Sequence, residues 1–588
     1  PTQQELIQLR NGGELDARLV ERVKELAERL KFFHWELAFP KVFSGDASTG
    51  SAPGFDCALG NPPWERIKLQ EEEFFAQRAP EISAAPNKAA RQKLITALTH
   101  SNPTLALAFD EAKHSTDAIS KFVRDSERFP LTSTGDVNTY ALFVENSRTL
   151  LSDRGRTGII VPIGIATDDT NKRFFSDIVQ NQSIAKLLGF ENEAFIFQAV
   201  HHSFRFCCLT LSGSGTKVEK PDFAFFCRYF TQVNQPKRHF TLTKNDIFLI
   251  NPNTKTVPIF RTGMDADLTL KIYRNVPILI NEQANENTWG AYYMRLIDLS
   301  DHAEYVKFPW ENRDDEWDVP LYESKLLWAY DHRFSTFDGV DREDYVAGLP
   351  RNLTDDEKTN PNLGVAPRYY VPRKLAKDLL AKYPDFDKPW LLVWRDVTSA
   401  ITMRTCIATI IPRYIATRTS PALGFSSDIS PTVLLANLNS IVFDYVARQK
   451  IGGNHLSFSV LTQLPVLPPS AYTPADIEFI APRVLELVYT ANDLRPFAED
   501  MGYHGEPFRW DDPPGRRAQI RAELDAYYAR LYGLTRDELR YILDPKEVHG
   551  EDFPGETFRV LKEKEIRLYG EFRTRRLVLA MWDRLTRK

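Results

Sequence analysis

Apolar runs that end in turn residues predict buried β-strands in the first third of the chain. The run FDCALG over residues 55–60 stops at Asn61-Pro62-Pro63-Trp64, where two consecutive prolines end any sheet ladder. Further apolar runs, TGIIVPIGIA, IAKLLGF and SFRFCCLTLS, alternate with the helical patterns GDVNTYALFVENSRTLL and NKRFFSDIVQN. This alternation is typical of a doubly wound α/β sheet, which binds ligands at the carboxyl ends of its strands. We therefore expect a composite site formed by the Pro-Pro turn and the loop after Val161-Pro162.

Two other stretches show helical spacing of apolar residues. Within residues 1–33, Leu19, Val23, Leu26 and Leu30 recur at intervals of three and four, which predicts a packing helix. Residues 65–130 carry charged helical sequence and predict an insertion or lid beside the Pro-Pro turn. A Gly/Ser/Ala loop, GDASTGSAPG, precedes the first strand.

Length and composition indicate a multidomain protein. The chain has 588 residues and 43% hydrophobic content, which suggests about three or four domains. We predict an N-terminal helical lead-in at 1–44, a catalytic region with its helical insertion at 45–215, a recognition region at 216–470, and a Pro-rich linker with C-terminal helices at 471–588. No apolar run approaches the length of a membrane span, and the first residues lack a signal-peptide core. We expect a soluble cytoplasmic protein that does not contact membranes.

Charge and cysteine content exclude several classes of site. The five cysteines are scattered without a C-x-x-C pair, so neither a disulfide framework nor a metal site is expected, and they should be small buried residues. A net charge of -5 argues against indiscriminate nucleic-acid binding but allows a local basic cleft. The chain contains no convincing PD…ExK constellation and no H-E-x-x-H pair, so cleavage activity is not supported in this segment.

The Asn61–Trp64 turn carries the chemistry of a binding edge. The Asn61 carboxamide and the Pro62 carbonyl are hydrogen-bond acceptors, and Trp64 offers a flat face for stacking. A planar group with an NH2, such as an adenine turned out of a duplex, fits this set. The alternative is a strand that simply ends in Asn-Pro-Pro, with a tryptophan that caps a core.

Motifs along the chain resemble those of one enzyme family. FFHWELAFPKVF, GFDCALGNPPWE, GDVNTYALF, GIIVPIGIATD and FENEAFIFQAVHHSFRF resemble, in order, motifs of gamma-class N6-adenine DNA methyltransferases, in particular the large methylases of type IIG restriction-modification and phage-defence proteins. Later segments, including LYESKLLWAYDHRF and LLANLNSIVFDYVARQKIGGNHLSF, are similar to their recognition and tail regions. The resemblance covers nearly the whole chain. It implies the C-terminal half of a doubly wound, Rossmann-like methyltransferase sheet, followed by a mixed α+β target-recognition domain and a helical tail.

The resemblance also implies roles for the turn residues. Asn61 and the Pro62 carbonyl would accept the two hydrogens of the adenine amino group, Pro63 would fix the turn, and Trp64 would stack on the extruded base. Phe197 would support the other face or edge of that base, although a core role at a strand end is the alternative. S-adenosyl-L-methionine would be the methyl donor. The implied partners are double-stranded DNA and other proteins of a defence system.

One expected part of such an enzyme is missing from the sequence. The cofactor needs a Gly-rich turn after a first strand and an acidic residue after a second. Neither precedes Asn61, Gly12-Gly13 does not follow a strand, and no strand-GxG-helix pattern occurs after residue 470. We therefore expect the N-terminal methyltransferase half to come from a longer polypeptide or from a separate subunit. The chain by itself should neither bind S-adenosylmethionine tightly nor methylate DNA.

Basic residues set among aromatics predict the DNA-reading surface. Arginine reads guanine edges, and lysine holds phosphates. The predicted contacts are Arg333, Arg404, Arg413, Arg418, Arg448, Lys450 and Asn454, with His455 beside Asn454 in a Gly-rich loop. For each arginine alone, a surface ion pair is the alternative. Arg395 is predicted to be structural, because it lies within the apolar stretch WLLVWRDV.

Three functional classes remain open from the sequence. The first is the catalytic and recognition portion of an adenine-N6 DNA methyltransferase in restriction-modification or phage defence. The second is a DNA-binding specificity subunit or fragment that needs a partner chain for catalysis. The third, methylation of RNA or of a protein amide, is less consistent with the long recognition region.

Overall fold

The computed structural model describes residues 2–44, 53–299, 301–311, 317–451 and 453–587. Most of the predicted loop at 45–54, and Gly452 in the predicted Gly-rich loop, lie outside these residues. The first α-helices and strands are α1 Gln3–Arg10, α2 Ala17–Leu30, α3 Trp35–Ala38, α4 Pro40–Phe43, β1 Phe55–Gly60, α5 Glu71–Ala76, α6 Pro80–Ser83, α7 Lys88–Ser101, α8 Pro103–Asp125, α9 Thr139–Thr149, β2 Leu151–Pro162, α10 Gly164–Thr167, α11 Lys172–Gln180, β3 Ile184–Glu191, β4 Arg205–Ser212, β5 Asp222–Cys227 and β6 Phe240–Thr241.

The middle and C-terminal regions contain shorter strands and more helices. These elements are α12 Lys244–Ile250, α13 Gly263–Asn275, β7 Tyr292–Met294, β8 Val319–Tyr322, β9 Ser335–Thr336, α14 Arg342–Ala347, β10 Arg351–Asn352, α15 Asp355–Lys358, β11 Tyr370–Val371, α16 Arg373–Leu380, β12 Trp390–Trp394, β13 Ala408–Pro412, β14 Ile415–Ala416, β15 Ala422–Gly424, α17 Pro431–Asn439, α18 Ile441–Lys450, α19 Phe458–Leu461, α20 Pro474–Val488, α21 Arg495–Asp500, α22 Arg516–Leu531, α23 Arg536–Leu543, α24 Pro545–His549, α25 Arg559–Tyr569 and α26 Arg573–Thr586.

The apolar runs of the first third form one mixed sheet. Its six strands lie in the order β1-β2-β4-β3-β5-β6. β1 runs parallel to β2, whereas β4 is antiparallel to both β2 and β3, and β5 is parallel to β3. Because β5 and β6 belong to this sheet, the sheet continues beyond the predicted boundary at residue 215. The chain therefore has a mixed α/β region in which β1 and β2 end at the same edge.

Strand β1 lies at the edge of the sheet and is largely exposed. It hydrogen-bonds to β2 on one side, and no described strand pairs with its other side. Leu59 is 82% exposed, and Cys57 is exposed too. The predictions of a buried strand and of a buried Cys57 are therefore wrong, because the described chain supplies no neighbour to cover this edge. An open parallel edge with apolar side chains is a typical pairing surface.

The N-terminal helices also leave apolar residues uncovered. Helix α2 begins at an Asp16 cap, which accepts hydrogen bonds from the Arg18 and Leu19 amides. None of its residues is buried, and Val23 and Leu30 are exposed. The expected packing helix therefore has no core to pack against within the described residues. The aromatic residues after α2 cluster instead around Phe55 of β1, which contacts Trp35, Phe39 and Phe43.

The predicted insertion is a helical excursion between β1 and α9. Helices α5 to α8 have a small core of their own, which includes Phe75, Ile82 and Phe109. The two ends of the excursion meet, since the Ile67 amide donates to the Val137 carbonyl at 3.0 Å and Arg66 forms a bridge with Asn138. The insertion therefore leaves and rejoins the sheet region at one point, next to the Asn61–Trp64 turn.

A continuous core joins the large sheet to the rest of the chain. It contains side chains from α9 and β2 as well as from the C-terminal helix α26. In the middle region, β12 is buried at every position and lies between β13 and β15. Helices α17 and α18 are buried along almost their whole length. None of the described helices combines the length and apolarity that crossing a bilayer requires.

Candidate functional site

The turn after β1 presents two unpartnered acceptors. The ladder between β1 and β2 ends at the pair Gly60 and Ile159. Beyond it Pro62 is buried, which anchors the turn, while Asn61 is exposed. No described residue hydrogen-bonds to the Asn61 carboxamide or to the Pro62 carbonyl. Both oxygens are therefore available to a donor at the carboxyl end of the strand.

Thr139, the first residue of α9, holds the next part of the turn. Its hydroxyl donates to the Pro63 carbonyl at 2.6 Å and accepts from the Glu65 amide at 3.1 Å. The Thr139 amide donates to the Glu65 carbonyl at 2.9 Å. These bonds engage the Pro63 and Glu65 carbonyls and leave the Pro62 carbonyl without a partner among the described residues. Thr139 lies in the motif GDVNTYALF, but its side chain was not predicted as a site residue.

Aromatic side chains surround Trp64. Its ring lies parallel to that of Phe204, with centroids 5.7 Å apart and planes at 13°. Phe197 meets it edge to face at 5.7 Å, and the indole N–H donates to the Ile160 carbonyl of β2 at 3.3 Å. A base that stacked on Trp64 would use the face opposite Phe204 or displace Phe204, which is itself exposed. The base-contact roles of Trp64 and Phe197 remain predictions.

A buried asparagine shapes the loop that carries Phe197. Asn192 follows β3 and is fully buried. Its Nδ2 donates to the carbonyls of Phe197 and Val200 at 2.9 and 2.8 Å, and its Oδ1 accepts from the Phe197 amide at 2.9 Å. All three bonds fix Phe197 beside Trp64. A polar residue directly after an apolar strand, as in FENEAF, is the sequence signal that could have identified Asn192.

A buried asparagine from the loop after β2 and a buried tyrosine from α9 meet at the same edge of the sheet. Asn171 donates to the Tyr140 hydroxyl at 3.1 Å and to the Gly164 carbonyl at 2.9 Å. Burial raises the pKa of Tyr140 to about 12, so its phenol is neutral and can donate a hydrogen bond near pH 7. Desolvation also raises the pKa of Asp168. The expected composite edge therefore contains a neutral phenol, and Asp168, which is exposed, lies in the loop that follows β2.

Three of the predicted DNA contacts are internal. Arg333 is fully buried and donates to the backbone carbonyls of four residues. Arg448 pairs with Asp444 and donates to four carbonyls, and Lys450 donates to Ile250 and Gln463 carbonyls. Burial lowers the pKa of Arg448, and it lowers the pKa of Lys450 far more. The predictions for these residues are wrong, because every side-chain nitrogen of the three except the Arg333 Nε already donates to acceptors inside the protein.

The remaining predicted contacts differ in exposure. Arg404 is mostly buried and pairs with Asp444, so it too has a structural role. Arg413 is half-buried and donates to the Lys388 carbonyl, and Arg418 is exposed and pairs with Asp298 at 3.4 Å. Asn454 is exposed, with its carbonyl bonded to the Thr398 amide. Arg413, Arg418 and Asn454 stay predicted DNA contacts. As predicted, Arg395 is structural and donates to the Ser324 carbonyl at 3.0 Å.

Comparisons with known proteins return solved structures only. No family model and no curated protein matches the chain. The chain is similar to the Type IIL restriction-modification enzyme MmeI in complex with DNA, with 11% identity over 86% of this chain and 57% of that chain and a TM-score of 0.37. It is also similar to the type IIG restriction endonuclease BpuSI, with 13% identity, 74% and 53% coverage, and a TM-score of 0.23.

A third similar structure is the methyltransferase subunit of a type I restriction-modification system from Streptococcus thermophilus. Here the identity is 15%, the coverage is 24% of this chain and 35% of that chain, and the TM-score is 0.20. All three neighbours belong to restriction-modification systems. The chain spans little more than half of the first two, 57% and 53%. With TM-scores this low, the similarities by themselves define neither the fold nor the activity of this chain.

Proposed function

We propose that this chain is the catalytic-edge and recognition portion of an adenine-N6 DNA methyltransferase in restriction-modification or phage defence. The observation that carries the proposal is the pair of unpartnered acceptors, the Asn61 carboxamide and the Pro62 carbonyl, beside the aromatic side chains of Trp64, Phe197 and Phe204. An exocyclic amino group has two hydrogens and lies on a flat ring, so it matches this arrangement in both respects.

We assign to Asn61 and Pro62 the localisation of the lone pair on the amino nitrogen of the adenine. When Asn61 Oδ1 and Pro62 O accept the two amino hydrogens, the nitrogen is held out of conjugation with the ring and becomes a better nucleophile. The Thr139 bond to Pro63 supports this role, because it holds the turn next to Pro62 while the Pro62 carbonyl keeps no partner among the described residues. Stacking of the base on Trp64 contributes about 1–3 kcal/mol, comparable with the cost of taking a base out of the duplex.

S-adenosylmethionine would supply the methyl group, but the described residues do not fit it. The one Gly-x-Gly that follows a strand of the six-stranded sheet is Gly213 and Gly215, after β4, and it does not lead into a helix. A Cβ at Gly213 would overlap the Ser152 carbonyl, so this turn is packed against β2 and leaves no space for a ligand. β4 is also antiparallel to β2, which puts Gly213 at the edge opposite Asn61.

A complementing sheet half is therefore part of the proposal. The open side of β1, with its exposed Leu59, supports pairing with a parallel strand from another segment or subunit that carries the cofactor turn. The order β1-β2-β4-β3, with one antiparallel strand inside, supports the C-terminal half of a Rossmann-like methyltransferase sheet. The exposed Arg418 and Asn454 are the candidates for contacts with duplex DNA.

The test combines the chain with a complementing N-terminal half and measures transfer of labelled methyl groups to duplex DNA. Asn61→Ala should lower transfer on the order of 100-fold, as does loss of one transition-state hydrogen bond in other enzymes. The matched control is Asn352→Ala, an exposed asparagine of β10, outside the six-stranded sheet, whose side chain has no hydrogen bond among the described residues. Full activity of Asn61→Ala in the complemented enzyme would refute the assigned chemistry.

The open β1 edge also favours a second candidate, a DNA-binding specificity subunit that depends on a partner chain for catalysis. The chain combined with its complementing N-terminal half also distinguishes the specificity subunit from the enzyme. Site-specific DNA binding without methyl transfer, even after complementation, would support the subunit and contradict the enzyme.

A further inference from the structure

A second candidate site lies among the C-terminal helices. A cavity of about 230 Å³ opens where α22, α25 and α26 meet the loop after Leu327. None of its lining residues comes from the six-stranded sheet or the Asn61–Trp64 turn. Its walls are partly apolar, with Leu561 and Leu577 among the lining side chains. The proposed DNA methyltransferase chemistry makes no use of this space.

Basic side chains dominate the polar part of the cavity. Arg404, Arg521, Lys564 and Arg573 line it, and of these Arg404 is paired with Asp444. The other three have no ion-pair or hydrogen-bond partner among the described residues. Arg521 is the most informative: it is half-buried, desolvation lowers its pKa, and the carboxylates of Asp525 and Glu565 act on it only through space, without an ion pair. A desolvated guanidinium without a partner is costly unless an anion binds to it.

The two acidic residues of the cavity are engaged elsewhere. Asp525 accepts a hydrogen bond from the Ile441 amide at 2.8 Å, and burial raises its pKa to about 6. Both oxygens of Glu565 are used by Thr574, through its amide at 2.7 Å and its hydroxyl at 2.6 Å. Neither carboxylate forms an ion pair with Arg521, Lys564 or Arg573. The cavity therefore keeps an excess of positive charge in a protein whose net charge is -5.

Aromatic rings stand beside these charges. Trp328 stacks on Phe334 at 5.0 Å between centroids, and both line the cavity. At the end of α25, Tyr569 is exposed, and the Arg573 guanidinium lies 4.8 Å from its ring centroid. Guanidinium groups bind phosphate oxygens with paired hydrogen bonds, and flat rings stack on nucleobases. The cavity therefore combines positive charge with flat aromatic surface.

We propose that this cavity binds the phosphate group of a nucleotide, with Arg521 and Arg573 as its principal ligands and Lys564 at its mouth. The phosphate comes either from a free nucleoside phosphate or from the backbone of bound DNA. In both cases guanidinium donors bind the oxygens of a phosphate ester. The two sources differ in whether a small nucleotide binds to the cavity by itself or only DNA does.

The test is calorimetric titration of the full chain with ATP, with inorganic pyrophosphate and with duplex DNA at low salt. Arg521→Gln and Arg573→Gln should each weaken binding about 10-fold or more, the effect of one charge-assisted hydrogen bond. The matched control is Arg509→Gln, because the Arg509 side chain is 85% exposed and pairs only with a neighbouring residue, Asp512. Lys564→Gln removes an exposed charge at the cavity and serves if a buried arginine proves essential for folding.

The results of these titrations distinguish a free nucleotide from the phosphate backbone of DNA. Binding of ATP and pyrophosphate that is weakened by the cavity variants and not by Arg509→Gln supports a free nucleotide. Binding of DNA without binding of ATP or pyrophosphate, weakened by the same cavity variants and not by Arg509→Gln, supports a backbone phosphate. If the cavity variants bind every ligand as the Arg509→Gln control does, the cavity is not a phosphate site and the proposal is refuted.

Discussion

Replacement of Arg333 tests whether its role is structural. The guanidinium donates to the Asn360, Leu363, Lys358 and Thr490 carbonyls at 2.8–3.2 Å and has no exposed surface. Arg333→Met keeps most of the volume but removes every donor and leaves these acceptors without a charged partner. Loss of one partner from a buried charged network costs about 3–5 kcal/mol. The neutral variant offsets part of this cost, because it no longer buries a positive charge. The burial of that charge in the wild type lowers the pKa of Arg333.

The assay is thermal unfolding together with DNA affinity for the wild type, Arg333→Met and Arg333→Lys. For a cooperative unit of a few hundred residues, the expected loss lowers Tm by roughly 6–10 °C. Arg333→Lys should restore little, because one ammonium cannot reach all four carbonyls of the two segments, 358–363 and Thr490. An unchanged Tm in Arg333→Met with weaker DNA binding would contradict the structural role and restore Arg333 as a DNA contact.

Two further predictions concern other buried polar groups. Asn192→Ala removes the three hydrogen bonds that hold the Phe197 loop, so the local stability of that loop should fall by roughly 2–4 kcal/mol. Hydrogen exchange at the Phe197 amide measures this change, and unaltered protection would show that Asn192 is not what orders the loop. Asp525 has a pKa of about 6 in the folded chain against an ordinary value of 3.8. Because the folded state holds its proton more tightly, wild-type stability falls as pH rises through this window, by about 3 kcal/mol from this group. The stability of Asp525→Asn should therefore increase relative to that of the wild type as pH rises from 4 to 7. Thermal unfolding of both proteins across this range measures the difference. If the two curves of stability against pH run parallel, burial does not raise the pKa of Asp525.

The sequence was most informative where hydrophobic patterning is local. The runs that became β2, β3 and β4, and the helix α11 between them, lie where the apolar spacing predicted them. The Asn61–Trp64 turn was predictable for the same reason, because a Pro-Pro pair ends a strand whatever surrounds it.

Long-range features could not be derived from local pattern. The position of β4 between β2 and β3 depends on pairing across distant parts of the chain, which an apolar run does not encode. The exposure of β1 depends on a missing neighbour, and an apolar run by itself indicates burial. Arg333, Arg448 and Lys450 are exceptions to the rule that basic residues lie at the surface, and only the carbonyls that converge on them account for their burial.

The backbone contacts that join the two ends of the insertion, Ile67 with Val137 and Arg66 with Asn138, make helices α5 to α8 a separable module. Because the Ile67 amide and the Val137 carbonyl bond at 3.0 Å, the chain enters and leaves the module at one point. The entropy of closing such a loop depends weakly on its length, since doubling the length costs only about 0.6 kcal/mol. The module is therefore free to lengthen, shorten or be exchanged during evolution, while Thr139 continues to hold Pro63 and Glu65 next to the acceptors of Asn61 and Pro62.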